Sequence, residues 1–297
     1  MSHVNGHTTF QVADALTSEQ TGRKLVDELV NDVPQTEKNV QSVTPIYTNE
    51  LTERSFDLLD HLLNTTNRLA ESAARHILAS PPLVEKDDVA VVKRNTIILI
   101  QGKYGSHKSR FAELFAALFL CLSPTPQKFL NFKKKAFEQF AVAFLDSERN
   151  VTEEFPDAIQ RIRKHAGYEA FESVEDFYFT SIKDIDRKQR LKAVETYLRY
   201  VRSQTDLHLI VFIDVATDAV KSFNDDVEAM AFYDFIGRMC DQHNCTIFLV
   251  VHENPGGVEG KARGHIGTEA ANKASTVLSI GLIKDGEERT DLVRIRF

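Results

Sequence analysis

The sequence has few cysteines, and the three it has are not arranged for metal or disulfide chemistry. Among the 297 residues, Cys121, Cys240 and Cys245 each lie next to apolar residues. Zinc sites use cysteines or histidines paired at short spacings, and extracellular disulfide frameworks use even numbers of cysteines. We therefore expect three buried thiols in a reducing compartment.

The sequence also lacks the segments that direct a chain into a membrane. It has no basic N-terminal stretch followed by an apolar run. No stretch approaches the roughly eighteen consecutive apolar residues of a membrane span. We expect a cytoplasmic protein with no membrane partner.

An excess of positive charge is absent too. The chain has 36 Lys and Arg residues against 43 Asp and Glu residues, a formal net charge of -7. No global positive field therefore draws it to nucleic acid, and any such contact must be local. With 42% hydrophobic residues, the chain is long enough for one large core with an appendage.

Composition changes along the chain. Residues 1–50 are rich in polar residues, with one short helical candidate over Gly22–Val30, and we expect a polar N-terminal arm there. Over Glu53–Leu78 apolar residues recur at helical spacing until a pair of prolines, which predicts an amphipathic helix within a helical lead-in over residues 51–94. Residues 95–297 are predicted to form the main domain.

The main domain alternates short apolar runs with helical stretches. Four runs are near-continuous, as in strands buried on both faces of a sheet: Thr96–Gln101, Val142–Leu145, Leu207–Ile213 and Thr246–Val251. This alternation predicts an α/β fold with a mostly parallel twisted sheet flanked by helices. Because ligands bind beyond the carboxyl ends of parallel strands, we expect the polar clusters that follow the runs to converge on one site.

A phosphate-binding loop is indicated directly after the first strand. The segment G-K-Y-G-S-H-K-S precedes a helical run over Arg110–Leu122. Backbone N–H groups and a helix N-terminus in such a loop bind phosphates. The pattern predicts that Lys108 contacts the β- and γ-phosphates and that the Ser109 hydroxyl joins a magnesium shell. The predicted nucleotide-contacting residues are Gly102, Gly105, Ser106, His107, Lys108, Ser109 and Arg110.

The loop departs from the G-x-x-x-x-G-K-[ST] pattern at one position. His107 stands where a glycine is expected before the lysine. Glycine there permits unusual torsion angles and close backbone approach, which another residue reaches at some cost, although histidine is enriched among such exceptions. The alternatives are a loop that binds nucleotide weakly and a chance glycine-rich turn.

Acidic residues follow the second and third strands. F-L-D-S-E-R-N places Asp146 and Glu148 after the second strand, and we predict that Glu148 orients or deprotonates the attacking water, with Asp146 supporting it. A charged loop that caps a helix is the alternative.

The third strand also ends in an acidic residue. Asp214 closes the run L-H-L-I-V-F-I-D, which predicts a magnesium ligand acting through water. Asp218 and the cluster Asn224–Asp226 fit a helix start better than a catalytic role.

A histidine ends the fourth strand. In V-V-H-E-N-P-G, His252 lies where the γ-phosphate is expected. A polar side chain there can report whether that phosphate is present. A surface histidine at a strand end is the simpler alternative.

These motifs in this order resemble the RecA-like ATPases, in particular the RepA-type hexameric helicase family, from the first strand to the C-terminus. F-L-D-S-E-R resembles the strand that carries their catalytic glutamate, which matches Glu148. H-E-N-P-G-G-V-E-G-K-A-R-G-H-I-G-T-E resembles their glycine-rich loop and R-G-[ST] segment, with His252, Arg263 and Gly264 at matched positions and His265 replacing the hydroxyl residue. The same stretches, with K-Y-G-S-H-K-S-R, are similar to ATPases of mobile genetic elements of Bacteroidetes-type bacteria.

The resemblance implies ATP and Mg²⁺ as cofactors, a homo-oligomer such as a hexameric ring, and single-stranded DNA as a partner. Lys261 and Arg263, in the glycine-rich loop, would contact the DNA backbone, and a solvated loop is the alternative. Arg294 and Arg296 share a face of the terminal strand L-V-R-I-R-F. In RecA-like rings such a basic pair reaches a neighbour's γ-phosphate, whereas the simpler alternative is an exposed strand face.

Two functions fit these observations. The first is a DNA-acting ATPase motor in replication or mobilisation of a mobile element, with Lys108, Glu148 and Asp214 in its active site. The second is a nucleotide-dependent interaction switch with little hydrolysis that docks a replication or transposition partner, which His107 and the acidic net charge favour. A small-molecule phosphotransferase ranks third because the sequence shows no obvious lid or substrate pocket.

Overall fold

The computed structural model divides the chain into two units, Met1–Ile77 and Leu78–Phe297. The residues it describes are 50–75, 81–134, 138–169, 172–220, 224–254, 262, 264–285 and 288–297. The helical candidate over Gly22–Val30 and almost all of the expected N-terminal arm lie outside them.

The described part of the first unit is one helix, α1, over Glu50–Arg75. Its apolar residues Leu62, Leu63 and Leu69 follow Leu59 by 3, 4 and 10 positions, which places all four on one face of a helix. The helix predicted from Glu53 onward is therefore present, and it begins at Glu50.

The second unit alternates strands and helices. In chain order its elements are β1 (Val84–Lys86), β2 (Val89–Val92), β3 (Ile97–Gly102), α2 (Lys108–Leu120), β4 (Lys133–Lys134), β5 (Phe140–Asp146), α3 (Glu154–Ala166), β6 (Phe177–Ser181), α4 (Arg187–Gln204), β7 (His208–Asp214), α5 (Asp226–Gln242), β8 (Cys245–His252), α6 (Gly264–Lys273), β9 (Thr276–Asp285) and β10 (Glu288–Arg296). The sequence expectation of a helical lead-in up to residue 94 is wrong at β1 and β2, where short strands form instead.

The strands form two sheets. The small sheet is antiparallel, in the order β2-β1-β4. The central sheet has seven strands in the order β10-β9-β3-β8-β7-β5-β6, and its neighbours are parallel except for the pair β10 and β9. This confirms the predicted α/β class with a mainly parallel sheet and a RecA-like P-loop core.

Helices cover both faces of the central sheet. The four predicted strands are almost entirely buried, because α2 and α3 pack on one face and α4, α5 and α6 on the other. Under α2, Phe212 stacks between Phe144 and Phe248, with ring centroids 5.6 and 4.6 Å away. Phe115 of α2 lies 5.7 Å from the Phe248 ring. Burial of each such side chain stabilises the fold by roughly 2 kcal/mol, so this aromatic layer fixes α2 on the sheet.

At the amino ends of the strands, a neutral hydrogen-bond network joins three elements. Thr246 Oγ1 donates to the Lys93 carbonyl at 3.0 Å and accepts from the Asn95 N–H at 3.1 Å. His208 Nε2 lies 3.0 Å from the same hydroxyl. Because the hydroxyl proton goes to Lys93, His208 Nε2 is the donor. The network fastens the turn before β3 to β7 and β8.

Two expectations about composition can be compared with the structure. All three cysteines are buried free thiols, as predicted. Of the helices in the described ranges, none has the length and apolar character needed to cross a membrane.

Candidate functional site

The polar clusters that follow four strands lie at one edge of the central sheet. Gly102 at the end of β3 pairs with His252 at the end of β8. Asp146 at the end of β5 pairs with Asp214 at the end of β7, and Asp214 is in register with Val250 of β8. The parallel order of the strands therefore places all four clusters at one edge.

Glycine is required where the loop leaves β3. A Cβ atom at Gly102 would lie 2.3 Å from the Ile280 carbonyl oxygen and 2.5 Å from Ser106 Oγ, too close for any side chain. Gly105, at the bend of the loop, has a φ of 75°, which glycine adopts without strain.

His107 adopts the left-handed conformation that glycine supplies in the usual pattern, with φ 66° and ψ 26°. Its side chain makes no capping hydrogen bond to α2, and the first turn of α2 contains no acidic residue. The first N–H groups of a helix have no intrahelical acceptor. Those of Lys108, Ser109 and Arg110 are therefore available to an anionic ligand, with the positive end of the helix behind them.

The Lys108 side chain is held inside the loop. It is only 5% exposed, and its Nζ donates to the Lys103 carbonyl at 2.9 Å. Burial lowers the pKa of Lys108, while the negative charges of Asp214, Glu148 and Glu253 oppose that shift. Across the described ranges no carboxylate lies within salt-bridge distance of this ammonium group. Its charge is therefore available to an anionic ligand.

The Ser106 hydroxyl gives a second indication of a ligand. Its oxygen is buried and has no hydrogen-bond partner in the described part of the chain. A buried polar group without a partner is costly, and native proteins rarely leave one. A phosphate oxygen in the loop would satisfy it.

Ser109 and Asp214 form a pair suited to magnesium. Ser109 Oγ donates to Asp214 Oδ1 at 3.1 Å, and the carboxylate is buried. Burial raises the pKa of Asp214 to about 6, and the neighbouring Arg149 guanidinium opposes that rise. A hydroxyl beside a carboxylate is the oxygen set that holds Mg²⁺ with its water in P-loop proteins, so the residues present fit that ion.

Glu148 and His252 face each other from neighbouring parts of the edge. His252 Nε2 lies 3.6 Å from Glu148 Oε1, and the imidazole holds the pKa of Glu148 below its ordinary value. The Glu148 side chain is half exposed, so water reaches it. Glu148 does not cap α3, because Asn150 Oδ1 accepts from the N–H groups of Glu153 and Glu154.

Asp146 supports the loop that carries Glu148. Its Oδ1 accepts from the backbone N–H groups of Glu148 at 3.1 Å and Arg149 at 2.7 Å. Its Oδ2 accepts from Arg149 Nε at 2.6 Å. The three contacts fix the chain immediately after β5.

Sequence reasoning missed three charged residues at this edge: Glu113 and Glu253, which are buried, and Arg149, which is partly buried. Arg149 joins Asp146, Asp214 and Glu113 through a single guanidinium. Glu113 is the one acidic residue in an otherwise apolar stretch of α2, and that contrast was an available signal. Arg149 carries no such signal, since two of its three partners, Glu113 and Asp214, come from distant parts of the sequence.

The three arginines predicted to bind nucleotide are not grouped together in the structure. The Arg110 guanidinium turns toward Glu113, with Nη1 at 3.5 Å from Oε2. Arg294 and Arg296 are exposed on the edge strand β10, opposite Gly281 and Ser279 of β9. Because Ile280 of β9 pairs with Gly102, the arginine pair is level with the phosphate loop and two strands away from it.

Lys261 and Arg263 lie outside the described residues. Ala262 between them is buried and forms a bridge with Glu253. Glu253 in turn donates its N–H to the Gly102 carbonyl at 2.9 Å.

Two acidic positions judged non-catalytic in the sequence have structural roles. Asp218 is bound by Arg187 at 3.0 Å. Asp225 is the N-cap of α5 and accepts from the Glu228 N–H at 2.9 Å, so the predicted helix start is confirmed.

Comparison with known proteins agrees with this geometry. A search of curated proteins returned no match for the chain. A family model described as an AAA domain matches residues 64–257, which is more than half of the 297 residues. The chain therefore belongs to the AAA domain family of P-loop ATPases.

Proposed function

We propose that the protein hydrolyses ATP and uses the energy as a RecA-like motor on DNA. The observation that carries the proposal is the convergence of Lys108, Ser109 and Asp214 with the Glu148–His252 pair at one sheet edge. In this proposal Lys108, Ser109 and Asp214 bind the phosphates and the metal, and Glu148 presents its carboxylate to the attacking water.

Each side chain has a distinct role in this proposal. Lys108 and the N–H groups at the start of α2 bind the β- and γ-phosphates. Ser109 and Asp214 hold Mg²⁺, which when bound neutralises charge on the phosphates. Glu148 is ionised at neutral pH, and its contact with His252 lowers its pKa further; it orients the attacking water and accepts its proton.

His252 links the phosphate site to the glycine-rich loop. It contacts Glu148, and the next residue, Glu253, is hydrogen-bonded to Gly102 and bridged to Ala262. A change at His252 on hydrolysis would then pass through Glu253 to Ala262, which lies between Lys261 and Arg263 in the sequence. We propose that these two residues contact the phosphate backbone of single-stranded DNA.

The position of Arg294 and Arg296 supports action on a neighbouring copy. They are exposed on an edge strand two strands from β3, about 10 Å away at the usual strand spacing. We propose a homo-oligomer, such as a hexameric ring, in which they reach the γ-phosphate of the adjacent subunit. The resemblance to RepA-type helicases and mobile-element ATPases supports a role in replication or mobilisation.

Turnover in the presence of DNA tests the motor. We expect single-stranded DNA to stimulate the ATPase rate of the wild type, and Lys261→Ala with Arg263→Ala to remove both DNA binding and stimulation. Lys273→Ala, at the end of α6, is the matched control and should retain both. An ATPase rate that DNA leaves unchanged, with DNA binding intact in the double variant, contradicts a motor.

Mixed subunits test the shared site. Glu148→Gln protein supplies intact arginines, and Arg294→Ala/Arg296→Ala protein supplies an intact Glu148. We expect a mixture to be more active than either protein alone, because some interfaces then contain both wild-type halves. Additive activities would argue against an interface site.

A nucleotide-dependent switch with little hydrolysis is the second candidate. It is favoured by His107, which places a side chain where the usual loop has none. For a switch, ATP should alter binding of a replication or transposition partner while single-turnover experiments show no hydrolysis. Rapid single turnover excludes it.

A further inference from the structure

One guanidinium lies at the centre of the acidic side of the site. Arg149 donates from Nε to Asp146 at 2.6 Å, from Nη1 to Glu113 at 2.7 Å and from Nη2 to Asp214 at 3.1 Å. The three carboxylates come from β5, α2 and β7. Each carboxylate faces a different nitrogen of the Arg149 guanidinium, so the three carboxylates surround that guanidinium.

Arg149 is fixed on its remaining sides. The rings of Phe144 and Phe155 each lie 5.5 Å from its guanidinium carbon. Only 16% of its side chain is exposed. A charge held by three carboxylates and two aromatic rings does not leave when a ligand arrives, because its partners would be left buried and unpaired.

A second arginine binds one of the three carboxylates. Arg161 of α3 donates to both oxygens of Glu113, at 2.8 and 3.0 Å. Arg110 adds a longer contact to the same carboxylate, 3.5 Å from its Nη1 to Glu113 Oε2, so three carboxylates face three arginines. Removal of Arg149 or of Arg161 changes the charge of the cluster equally, but only removal of Arg149 empties its centre.

We propose that Arg149 is an internal counter-ion that makes metal binding at Asp214 depend on the nucleotide. It occupies Asp214 Oδ2, while Oδ1 remains directed at Ser109. A divalent cation then has too few protein ligands on its own and requires the oxygens of a triphosphate. The inference rests on the proposed function, since it concerns the same Ser109 and Asp214 pair.

The chemistry of the cluster explains why such a counter-ion is needed. Carboxylate oxygens are the ligands that Mn²⁺, Mg²⁺ and Ca²⁺ prefer, and Arg149 lies between those of Asp146, Asp214 and Glu113. A metal bound there in the absence of ATP would draw Asp214 toward Asp146 and Glu113. Arg149 prevents this because its charge and its volume fill that position.

Metal binding by the nucleotide-free full-length protein tests the proposal, with Mn²⁺ as the probe and electron paramagnetic resonance as the readout. We expect Arg149→Met to bind one Mn²⁺ at least about tenfold more tightly than the wild type, the effect of removing a nearby unit charge. Adding Asp214→Asn should abolish the gain. Arg161→Met, which makes the same change of charge, and Arg149→Lys, which keeps the charge, should resemble the wild type.

Two results overturn the proposal. One is equal Mn²⁺ affinity in Arg149→Met and the wild type, or equal gains in Arg149→Met and Arg161→Met. The other does not depend on the folding of an arginine variant. It is tight Mn²⁺ binding by the nucleotide-free wild type that is lost in Asp214→Asn.

ATP-dependent Mn²⁺ binding by the wild type, measured in the same titration, tests the proposed function separately. If the wild type binds no Mn²⁺ when ATP is present, nucleotide binding is refuted. The comparison of the nucleotide-free variants with the wild type remains valid in that case.

Discussion

The two edges of the central sheet bury polar groups in opposite ways. The carboxyl edge buries charges, with Arg149 among Asp146, Asp214 and Glu113. The amino edge buries a neutral pair, His208 with Thr246. Neutral hydrogen bonds cost less to bury than ions, so a fold that needs only stability uses the second arrangement.

The charged edge therefore indicates function. Burial raises the pKa of Glu113 to about 7 and that of Asp214 to about 6, so ionising them inside the protein is unfavourable. We attribute the arrangement to the proposed phosphate and metal site, which would require fixed charges. Four predictions test this contrast between the edges.

The largest effect is expected at Glu148 on the carboxyl edge. Glu148→Gln keeps the size of the side chain and removes the proton acceptor, so kcat should fall by about 10²- to 10⁴-fold with ATP affinity retained. Glu153→Gln, a neighbouring exposed change, is the control. Steady-state ATPase assays decide. A Glu148→Gln rate within a few-fold of the wild type would show that another group handles the water.

At the amino edge the expected effect is on stability and its pH dependence. Burial lowers the pKa of His208 to about 4, with Arg94 and Arg202 adding to the shift. The unfolded chain binds this proton below about pH 6.5 and the native protein only near pH 4, so stability falls as pH drops through that window. The loss from this group should reach about 3 kcal/mol.

Urea denaturation at several pH values measures that loss. His208→Gln should be less stable at pH 7 but show a shallower decline toward pH 4 than the wild type. His265→Gln, at an exposed histidine, should keep the wild-type slope. If the unfolding free energies of the wild type and His208→Gln fell in parallel as the pH is lowered, His208 would not be the source of the pH dependence.

The two ends of α2 differ in how their backbone polar groups are satisfied. At the N-terminus the N–H groups of the first turn have no intrahelical acceptor, whereas at the C-terminus the buried Lys134 donates to the carbonyls of Phe119 at 3.1 Å and Cys121 at 2.6 Å. Lys134→Met leaves these carbonyls without their partner and should cost about 1–3 kcal/mol. Lys133→Met, at its exposed neighbour, should be close to neutral. Thermal or chemical denaturation of both variants checks this, and equal losses would contradict it.

The smallest effects concern His107. It already has the left-handed backbone, so His107→Gly should change ATP affinity by less than about fivefold, under 1 kcal/mol. His107→Val should weaken binding more, because β-branched residues avoid that conformation. Calorimetric titration of both variants measures this. A large gain in affinity on His107→Gly would instead show that the imidazole obstructs the phosphate.

The sequence revealed features whose signals are local. The four buried strands are continuous apolar runs, and the loop before α2 has its own spacing of glycine, lysine and serine. Asp214 was recognisable because an acid ends an apolar run. Each signal lies within about eight neighbouring residues, so no knowledge of the fold was needed.

The missed features depend on tertiary structure. Strand β6 is a half-exposed edge strand without a continuous apolar run, so periodicity did not separate it from a loop. Arg149 resembles any charged loop residue until the fold brings Glu113 and Asp214 to it. Its role could not be read from the chain, because two of its three partners lie 36 and 65 positions away.

The central claim is that a triphosphate binds over the loop between β3 and α2. Calorimetric titration of ATP with Mg²⁺ into the wild type, Lys108→Ala and Lys103→Ala tests it most directly. We predict that Lys108→Ala weakens binding by at least about 100-fold, the scale of losing one well-placed charge contact, while Lys103→Ala, at the exposed lysine of the same loop, binds like the wild type. Equal affinities for the wild type and Lys108→Ala would contradict the claim.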